Sequence, residues 1–328
     1  MSTFEDADKF LDMIERCFVT KNSIIKDLGL KMLEENSTKS TKILSGTLVN
    51  IFLYPIKSCG AYSPKTSWQI TSTGLKYDRT WMIVNSNGSC VSQKQVKSMC
   101  LIKPVLDLEN MKLRLKFEGA KEISISLEIE ENRTGNSTTF CNSKVCGDKI
   151  QGYDCGDDVA EWLSENLKKP GLRLLKQCDR NKIISRKKSE IEDEPPLSLA
   201  NKAQYLMINS ASIRWLKDKI HSGSDHISFR SLANRFRANF LVDFDKPFVE
   251  NALDRVFFGD VPFKFSGKCT RCQMICIDQD SGNISKEPLQ VLSDEFNGNM
   301  CFGIYLNNQN SNESRIISIK SRVTGQIS

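Results

Sequence analysis

Three cysteines and an arginine lie within eight positions of one stretch, residues 268–278. Cys269, Cys272 and Cys276 supply thiols, which as thiolates are the soft ligands that zinc and several transition metals prefer. Arg271 lies between the first two and carries a permanent positive charge. Strand-like runs lead into the stretch and out of it. The cluster therefore predicts a metal site at a strand end, and its spacing leaves the identity of the metal open.

Three interpretations of the thiols stay open on spacing alone. Tetrahedral zinc favours such spacing but needs four ligands. The only other close cysteine pair is Cys141 and Cys146, and the two histidines, His221 and His226, fall in a polar loop. A redox pair of the thioredoxin kind would begin a helix, whereas these flanks look like strands. Thiols that pack as small hydrophobes would suit Cys276, which alternates with apolar residues.

The arginine of the cluster points to an anion. A guanidinium buried beside thiols is costly unless an anion pairs with it, and the packing interpretation leaves Arg271 unexplained. Lys57, Ser58, Arg79 and Arg237 are further cationic or hydroxyl side chains at or near predicted strand ends. Each alone is more often a surface group than a ligand. Together with a thiolate they would suit a ligand with a phosphate at one end and a soft metal at the other.

The composition limits the class of protein. The chain has 328 residues, of which 39% are hydrophobic and 26% charged, so it predicts a globular protein with two compact units. A net charge of +6 suits an anionic small ligand and gives little support for nucleic acid as a partner. Twelve cysteines without a signal peptide or an apolar run long enough to span a bilayer indicate reduced thiols, no membrane association and a cytoplasmic location.

The hydrophobic pattern predicts a β-rich α+β fold preceded by short helices. Gly259 and Asp260 separate two strand-like runs as a two-residue hairpin turn. Residues 179–196 are charged and are interpreted as a solvated loop. The predicted helices span 4–18, 24–33, 157–167 and 210–220, and the predicted strands span 47–54, 75–85, 100–107, 111–117, 122–129, 205–208, 256–258, 261–265, 275–277 and 300–306.

Five motifs, in this order, resemble the MOSC family. They are residues 53–59, 74–85, 153–156, 235–239 and 269–278. They are most similar to the C-terminal part of the eukaryotic molybdenum cofactor sulfurases within that family. The resemblance extends from about residue 46 to the end of the sequence and is specific, because it rests on several motifs rather than one.

The resemblance implies a division of the chain. Residues 46–170 would form the MOSC N-terminal β-barrel-like domain, residues 171–196 a charged linker, and residues 197–328 the MOSC domain, a mixed β-barrel. Residues 1–45 would be a helical segment that resembles the end of the domain preceding the MOSC region in the longer sulfurases. That preceding domain resembles a cysteine desulfurase, depends on pyridoxal phosphate, and is expected to be missing from this sequence.

The resemblance also implies a ligand and the residues that hold it. The ligand would be the molybdenum cofactor, a pterin that bears a dithiolene-bound metal and a phosphate. Cys272 matches the cysteine that ligates molybdenum in related MOSC reductases. The residues that match positions lining the cofactor pocket are Lys57, Ser58, Arg79, Arg237, Asn239, Thr270 and Arg271.

The implied function is a module that holds the cofactor for terminal sulfuration, which would activate xanthine dehydrogenase and aldehyde oxidase. A desulfurase domain or subunit would supply the sulfur, with pyridoxal phosphate bound there and not on this chain, and no catalytic residue is assigned. One alternative is a self-contained molybdenum reductase of the amidoxime-reducing kind; the run 273–279 looks more like a sulfurase. The other alternative is a non-catalytic scaffold that carries the cofactor.

Overall fold

The computed structural model describes residues 42–128, 140–145, 148–178, 196–200, 202–220, 227–309 and 314–327. The predicted helices at 4–18 and 24–33 and the charged loop from 179 to 195 lie outside these ranges. The described residues belong to one compact unit, Lys42–Ser328.

The described residues form seventeen strands and four α-helices. The strands are β1 (Lys42–Ile51), β2 (Ser67–Thr71), β3 (Gly74–Leu75), β4 (Trp81–Val84), β5 (Lys103–Asp107), β6 (Lys112–Lys116), β7 (Ile123–Ser126), β8 (Phe140–Val145), β9 (Asp148–Asp154), β10 (Arg173–Gln177), β11 (Tyr205–Asn209), β12 (Phe240–Asp243), β13 (Arg255–Phe258), β14 (Val261–Thr270), β15 (Cys301–Asn308), β16 (Arg315–Ser318) and β17 (Arg322–Ile327). The helices are α1 (Asp157–Asn166), α2 (Ser210–Lys219), α3 (Phe229–Arg235) and α4 (Glu287–Glu295). Three short 3₁₀ turns cover Lys97–Leu101, Val249–Ala252 and Gln273–Cys276.

A closed barrel organises the molecule, with strand order β1-β12-β11-β15-β14-β13-β17. The β11–β12 pair is parallel, and the other pairs around the barrel are antiparallel. The barrel is therefore mixed, and the β-rich fold class predicted from the sequence is confirmed. The hairpin of β13 and β14 turns at Gly259 and Asp260 as predicted, with Gly259 at a φ of 57° that favours glycine.

Strands from the two halves of the sequence are interleaved. β1 closes the barrel between β12 and β17, although it precedes the other six barrel strands by more than 150 positions. β16 pairs with β2 and so returns to the first half. One apolar core runs from Leu48 to Val323 across both halves. Two further sheets, β4-β10-β9-β8 and β5-β6-β7, belong to the first half.

Two strand predictions need correction. Residues 275–277 do not form a strand, because the chain turns into the 3₁₀ segment Gln273–Cys276, in which the Ile275 amide donates to the Cys272 carbonyl at 3.2 Å. Three consecutive buried residues there remove the alternation that a strand would show. The run 75–85 is not one strand either; it breaks into β3 and β4 around a turn.

Among the described residues, no helix is long and apolar enough to cross a membrane.

Candidate functional site

A cavity of about 210 Å³ lies at the end of the barrel where strand β14 ends. Every residue that the sequence analysis assigned to the cofactor or its metal lines this cavity. These residues are Lys57, Ser58, Arg79, Arg237, Asn239, Thr270, Arg271 and Cys272. They come from segments up to 215 positions apart in the sequence, so the fold brings together what spacing alone could not.

Arg79 reaches the cavity because the chain turns between β3 and β4. The preceding residue, Asp78, is buried and fixes this turn. One of its carboxylate oxygens accepts from the Tyr54 amide at 2.7 Å, and the other accepts from Asn239 Nδ2 at 3.0 Å and from the Arg79 guanidinium. Arg79 also donates to Asn239 Oδ1 and to the Arg237 carbonyl, both at 3.2 Å. Asn239 thus links the turn to the start of β12.

Arg237 lies against the same turn but has no carboxylate partner among the described residues. Its Nη1 donates to the Cys59 carbonyl at 2.7 Å and to Gln279 Oε1 at 3.0 Å. Its guanidinium stacks on the Tyr54 ring at 4.3 Å from the ring centroid, and that of Arg79 lies 4.8 Å from the same centroid. Burial, with the charge of Arg79 adding to it, lowers the pKa of Arg237. Burial raises the pKa of Tyr54 to about 12.

Arg271 is more deeply buried, at 7% exposure, and again no carboxylate contacts it among the described residues. Its Nε donates to the Phe302 carbonyl at 2.8 Å and its Nη1 to the Phe236 carbonyl at 3.1 Å. The guanidinium lies 4.9 Å from the centroid of the Phe236 ring. Nη2 is buried and finds no hydrogen-bond acceptor in the described part of the chain. An uncompensated guanidinium of this kind favours an anionic ligand.

Backbone strain accumulates around the cavity. Ser58, Arg79 and Arg237 adopt φ values of 69°, 49° and 52°, a region that residues with a Cβ seldom enter. Strained residues of this kind persist where the surrounding contacts hold them, and they cluster at functional sites. Here the strain falls on three of the residues selected from the sequence for their side-chain chemistry.

The three thiols of the cluster have different surroundings. Cys272 lines the cavity and is exposed. Cys269 also lines it, but it is buried, and its Sγ lies 3.0 Å from Tyr305 Oη. Cys276 is buried outside the cavity lining, and burial raises the pKa of its thiol to about 11. No three metal-binding side chains converge within the described ranges, so nothing there supports the zinc interpretation. His221, His226 and the side chains of Cys141 and Cys146 lie outside the description.

Four lining residues with polar groups were missed by the sequence analysis. They are Lys202, Tyr205, Arg235 and Tyr305. Arg235 lies two positions before Arg237 in the motif 235–239, so that motif could have predicted Arg235 as a lining residue. The Tyr205 hydroxyl is buried and, among described residues, has no hydrogen-bond partner. Lys202 lies over the Tyr305 ring at 5.6 Å from its centroid. No spacing rule connects these residues, since they meet only through the barrel.

The charge balance of the cavity is one-sided. The lining contains six cationic side chains, and within the described part of the chain it contains no aspartate or glutamate. Asp78 and Asp278 each pair with one of the arginines from outside the lining. The lining therefore favours an oxyanion such as a phosphate, and the exposed Cys272 thiol adds a soft metal ligand. These residues fit a molecule that carries both groups, as the molybdenum cofactor does.

Two family models match the chain. The MOSC N-terminal beta barrel domain matches residues 45–170, and the MOSC domain matches residues 194–324. This chain belongs to the MOSC family. The described cavity draws on both matched regions: Lys57, Ser58 and Arg79 come from the first, and the remaining predicted residues come from the second.

The chain is similar to curated proteins named molybdenum cofactor sulfurase. It is 40% identical over 335 residues to the protein of that name from Bombyx mori, with 93% of this chain and 40% of the relative covered. Molybdenum cofactor sulfurase 2 from Culex quinquefasciatus is 41% identical, with 95% and 40% covered. Molybdenum cofactor sulfurase from Danio rerio is 37% identical, with 100% and 43% covered. The chain thus spans about 40% of the length of these relatives and corresponds to their C-terminal part.

Proposed function

We propose that this chain binds the molybdenum cofactor as a substrate and holds it for terminal sulfuration, as the MOSC part of a molybdenum cofactor sulfurase. The observation that carries the proposal is the cavity, whose described lining contains several cations, an exposed thiol and no carboxylate. The names of the relatives support the choice of this ligand over other phosphate-bearing molecules.

The proposed contacts follow from the chemistry of the lining. The uncompensated guanidinium groups of Arg237 and Arg271 would receive the negatively charged phosphate. Lys57, Ser58 and Thr270 offer further donors to anionic or pterin oxygens. Cys272 would be the ligand of the metal, because its thiol is the exposed one of the two that line the cavity. The tethered Asp78–Asn239 pair would keep Arg79 in place whether or not the cofactor is bound.

The wider role is proposed from the family. Sulfur would come from a pyridoxal phosphate-dependent desulfurase domain or subunit, since the chain corresponds to about 40% of the sulfurases that it resembles. The sulfurated cofactor would then activate molybdenum hydroxylases such as xanthine dehydrogenase and aldehyde oxidase.

The first experiment measures molybdenum and pterin in the purified chain after incubation with molybdenum cofactor released from a molybdoenzyme. We expect near-stoichiometric pterin and molybdenum on the wild type. Cys272→Ser should keep both, because the dithiolene of the pterin holds the metal, but the X-ray absorption spectrum of molybdenum should show one sulfur ligand fewer. Cys90→Ser, which changes a cysteine outside the cavity lining, should keep both and leave that spectrum unchanged. Wild-type protein that retains neither pterin nor metal would refute the proposal. An equal number of sulfur ligands on molybdenum in wild type and Cys272→Ser would refute the metal assignment.

The loaded chain also distinguishes sulfuration from the reductase alternative. We expect no turnover of an N-hydroxylated substrate with a chemical electron donor. Steady turnover that is lost in Cys272→Ser would instead identify a self-contained reductase. Co-purification of a desulfurase, with no terminal sulfur gained by the bound cofactor when L-cysteine is added, would favour the scaffold alternative.

A further inference from the structure

A neutral side chain, that of Gln279, holds the Arg237 guanidinium in the cavity wall. Its Nη1 has two acceptors, the Cys59 carbonyl at 2.7 Å and Gln279 Oε1 at 3.0 Å. The first acceptor is backbone, so Gln279 is the side chain that holds this nitrogen. Because an amide carries no charge, the contact orients the guanidinium without neutralising it.

The orientation of the Gln279 amide is fixed by its surroundings. Nε2 donates to the Ile277 carbonyl at 3.1 Å and to Gln93 Oε1 at 3.2 Å, so both of its hydrogens are used. Oε1 accepts from Arg237 and from Gln93 Nε2, the latter at 3.1 Å. A flipped amide would place NH₂ against the guanidinium and oxygen against the Ile277 carbonyl. One orientation alone therefore satisfies all four bonds.

The support for this amide comes from the other half of the chain. Gln93 is fully buried, and Gln279 is 5% exposed. In the described part of the chain, both side-chain hydrogen bonds of Gln93 go to the Gln279 amide. Lys103, also from the first half, donates its Nζ to the Gln279 carbonyl at 2.6 Å. Gln93 and Lys103 lie in the region matched by the MOSC N-terminal domain, whereas Arg237 and Gln279 lie in the MOSC domain. The amide pair thus joins the two regions directly behind the cavity wall.

We infer that Gln279, locked by Gln93, is a positioning residue that presents Arg237 to an anionic ligand with its charge uncompensated. The inference rests on the proposed function, because it assigns to Gln279 a part in binding the cofactor. Gln279 itself is not among the residues that line the cavity, so it acts through Arg237. A carboxylate at the same position would keep the geometry of the contact but pair with Arg237 and compete with the ligand.

The test compares molybdenum cofactor binding by Gln279→Glu, Gln279→Met and Gln309→Glu. The last makes the same charge change at an exposed residue outside the cavity lining. We expect both Gln279 variants to bind about tenfold more weakly than Gln309→Glu. Gln279→Glu pairs with Arg237 and so removes one charge-assisted contact from the ligand, and Gln279→Met removes the hydrogen bond that orients Arg237 toward the ligand. Gln279→Glu alone should also show a shallower fall of affinity with salt, because one cation of the site is neutralised.

The salt dependence separates positioning from a structural role. A residue needed only for core packing would lower the unfolding temperature in both variants and leave the salt dependence unchanged. Gln279→Glu with the affinity and salt dependence of Gln309→Glu would overturn the inference. If Gln279→Glu does not fold, Gln93→Met provides the test, because it releases Gln279 without adding charge. We expect it to bind about threefold more weakly, from the loss of buried hydrogen bonds, and binding equal to wild type would overturn the inference.

Failure of the proposed function is distinguishable from failure of this inference. A wild-type chain that retains no cofactor contradicts the proposed function. Hydrogen exchange of the Arg237 guanidinium, measured by NMR on the ligand-free chain, still tests the positioning. Faster exchange in Gln93→Met than in wild type supports it, and equal exchange rates refute it.

Discussion

Arg235 and Arg237 are two residues apart and line the same cavity, yet the protein treats their charges differently. Arg235 donates to Asp278 at 3.0 Å, with both side chains largely buried. Within the described part of the chain, the Arg237 guanidinium donates only to a carbonyl and an amide oxygen. A carboxylate neutralises the charge of a buried guanidinium, whereas a guanidinium held by neutral acceptors keeps its charge available to a ligand. The distribution of these carboxylates, more than the number of arginines, indicates the side of the cavity where we propose that an anion binds.

The largest effect is expected from breaking the compensated pair. Asp278→Ala would leave Arg235 buried without a carboxylate and also remove the acceptor of the Asp280 and Ser281 amides. We expect the free energy of unfolding to fall by about 3–5 kcal/mol, measured by urea unfolding at neutral pH. Ser231→Ala, which removes one hydroxyl donor to Asp278, should cost about 1 kcal/mol. Equal stability of Asp278→Ala and wild type would show that the pair contributes nothing.

The same pair predicts a pH dependence. Burial alone would raise the pKa of Asp278, but the hydrogen bonds from Ser231, Ser281 and Asp280 outweigh it and lower the pKa well below its usual range. The folded state thus favours the carboxylate, so its stabilisation is present above the ordinary aspartate pKa and is lost as the pH falls through the lowered value. The stability gap between wild type and Asp278→Ala should narrow in acid. A gap that stays constant from neutral to acidic pH would contradict this.

A binding effect is expected from the uncompensated side of the comparison. Arg237→Met keeps the bulk of the side chain and removes a charge-assisted contact worth about 1.5–3 kcal/mol, which is roughly ten- to 150-fold in affinity. Retention of molybdenum cofactor, titrated under fixed salt, measures the change. Arg237→Lys should recover part of the loss, because it restores the charge without the planar geometry. Equal binding by wild type and Arg237→Met would remove Arg237 from the site.

The smallest effect is expected at an arginine that is compensated at the surface. Arg214 pairs with Asp243 at 2.8 Å, and the two side chains are 53% and 46% exposed. Solvent screens such a pair, so Arg214→Met should lower the free energy of unfolding by no more than about 1 kcal/mol. Cofactor retention should not change, because Arg214 is not among the residues that line the cavity. A loss of binding comparable to that of Arg237→Met would show that charge anywhere on the chain matters, and the comparison would fail.

Local sequence was enough to predict much of the fold. Turn chemistry and hydrophobic periodicity depend on neighbouring residues, so they can be recognised in the sequence. They predicted the hairpin at Gly259 and Asp260, strand β11 and helix α2. The segment 275–277 was predicted wrongly because its apolar residues pack on a short 3₁₀ turn. The boundaries at residues 46, 170 and 197 stay predictions. Strand pairing does not follow them, since β1 closes a barrel built otherwise from the second half.

The sequence by itself was enough to predict eight side chains that line the cavity, because charge, thiol softness and motif order are properties of residues read one after another. The tertiary structure decided which of those charges stay uncompensated. The sequence shows that Asp78 and Asp278 are carboxylates and that Gln279 is an amide. Only the fold sets a carboxylate beside Arg79 and Arg235 and the amide beside Arg237. The partner of Gln279 lies 186 positions away at Gln93. Compensation of a buried charge depends on what lies within hydrogen-bond reach, and in this protein folding sets that distance.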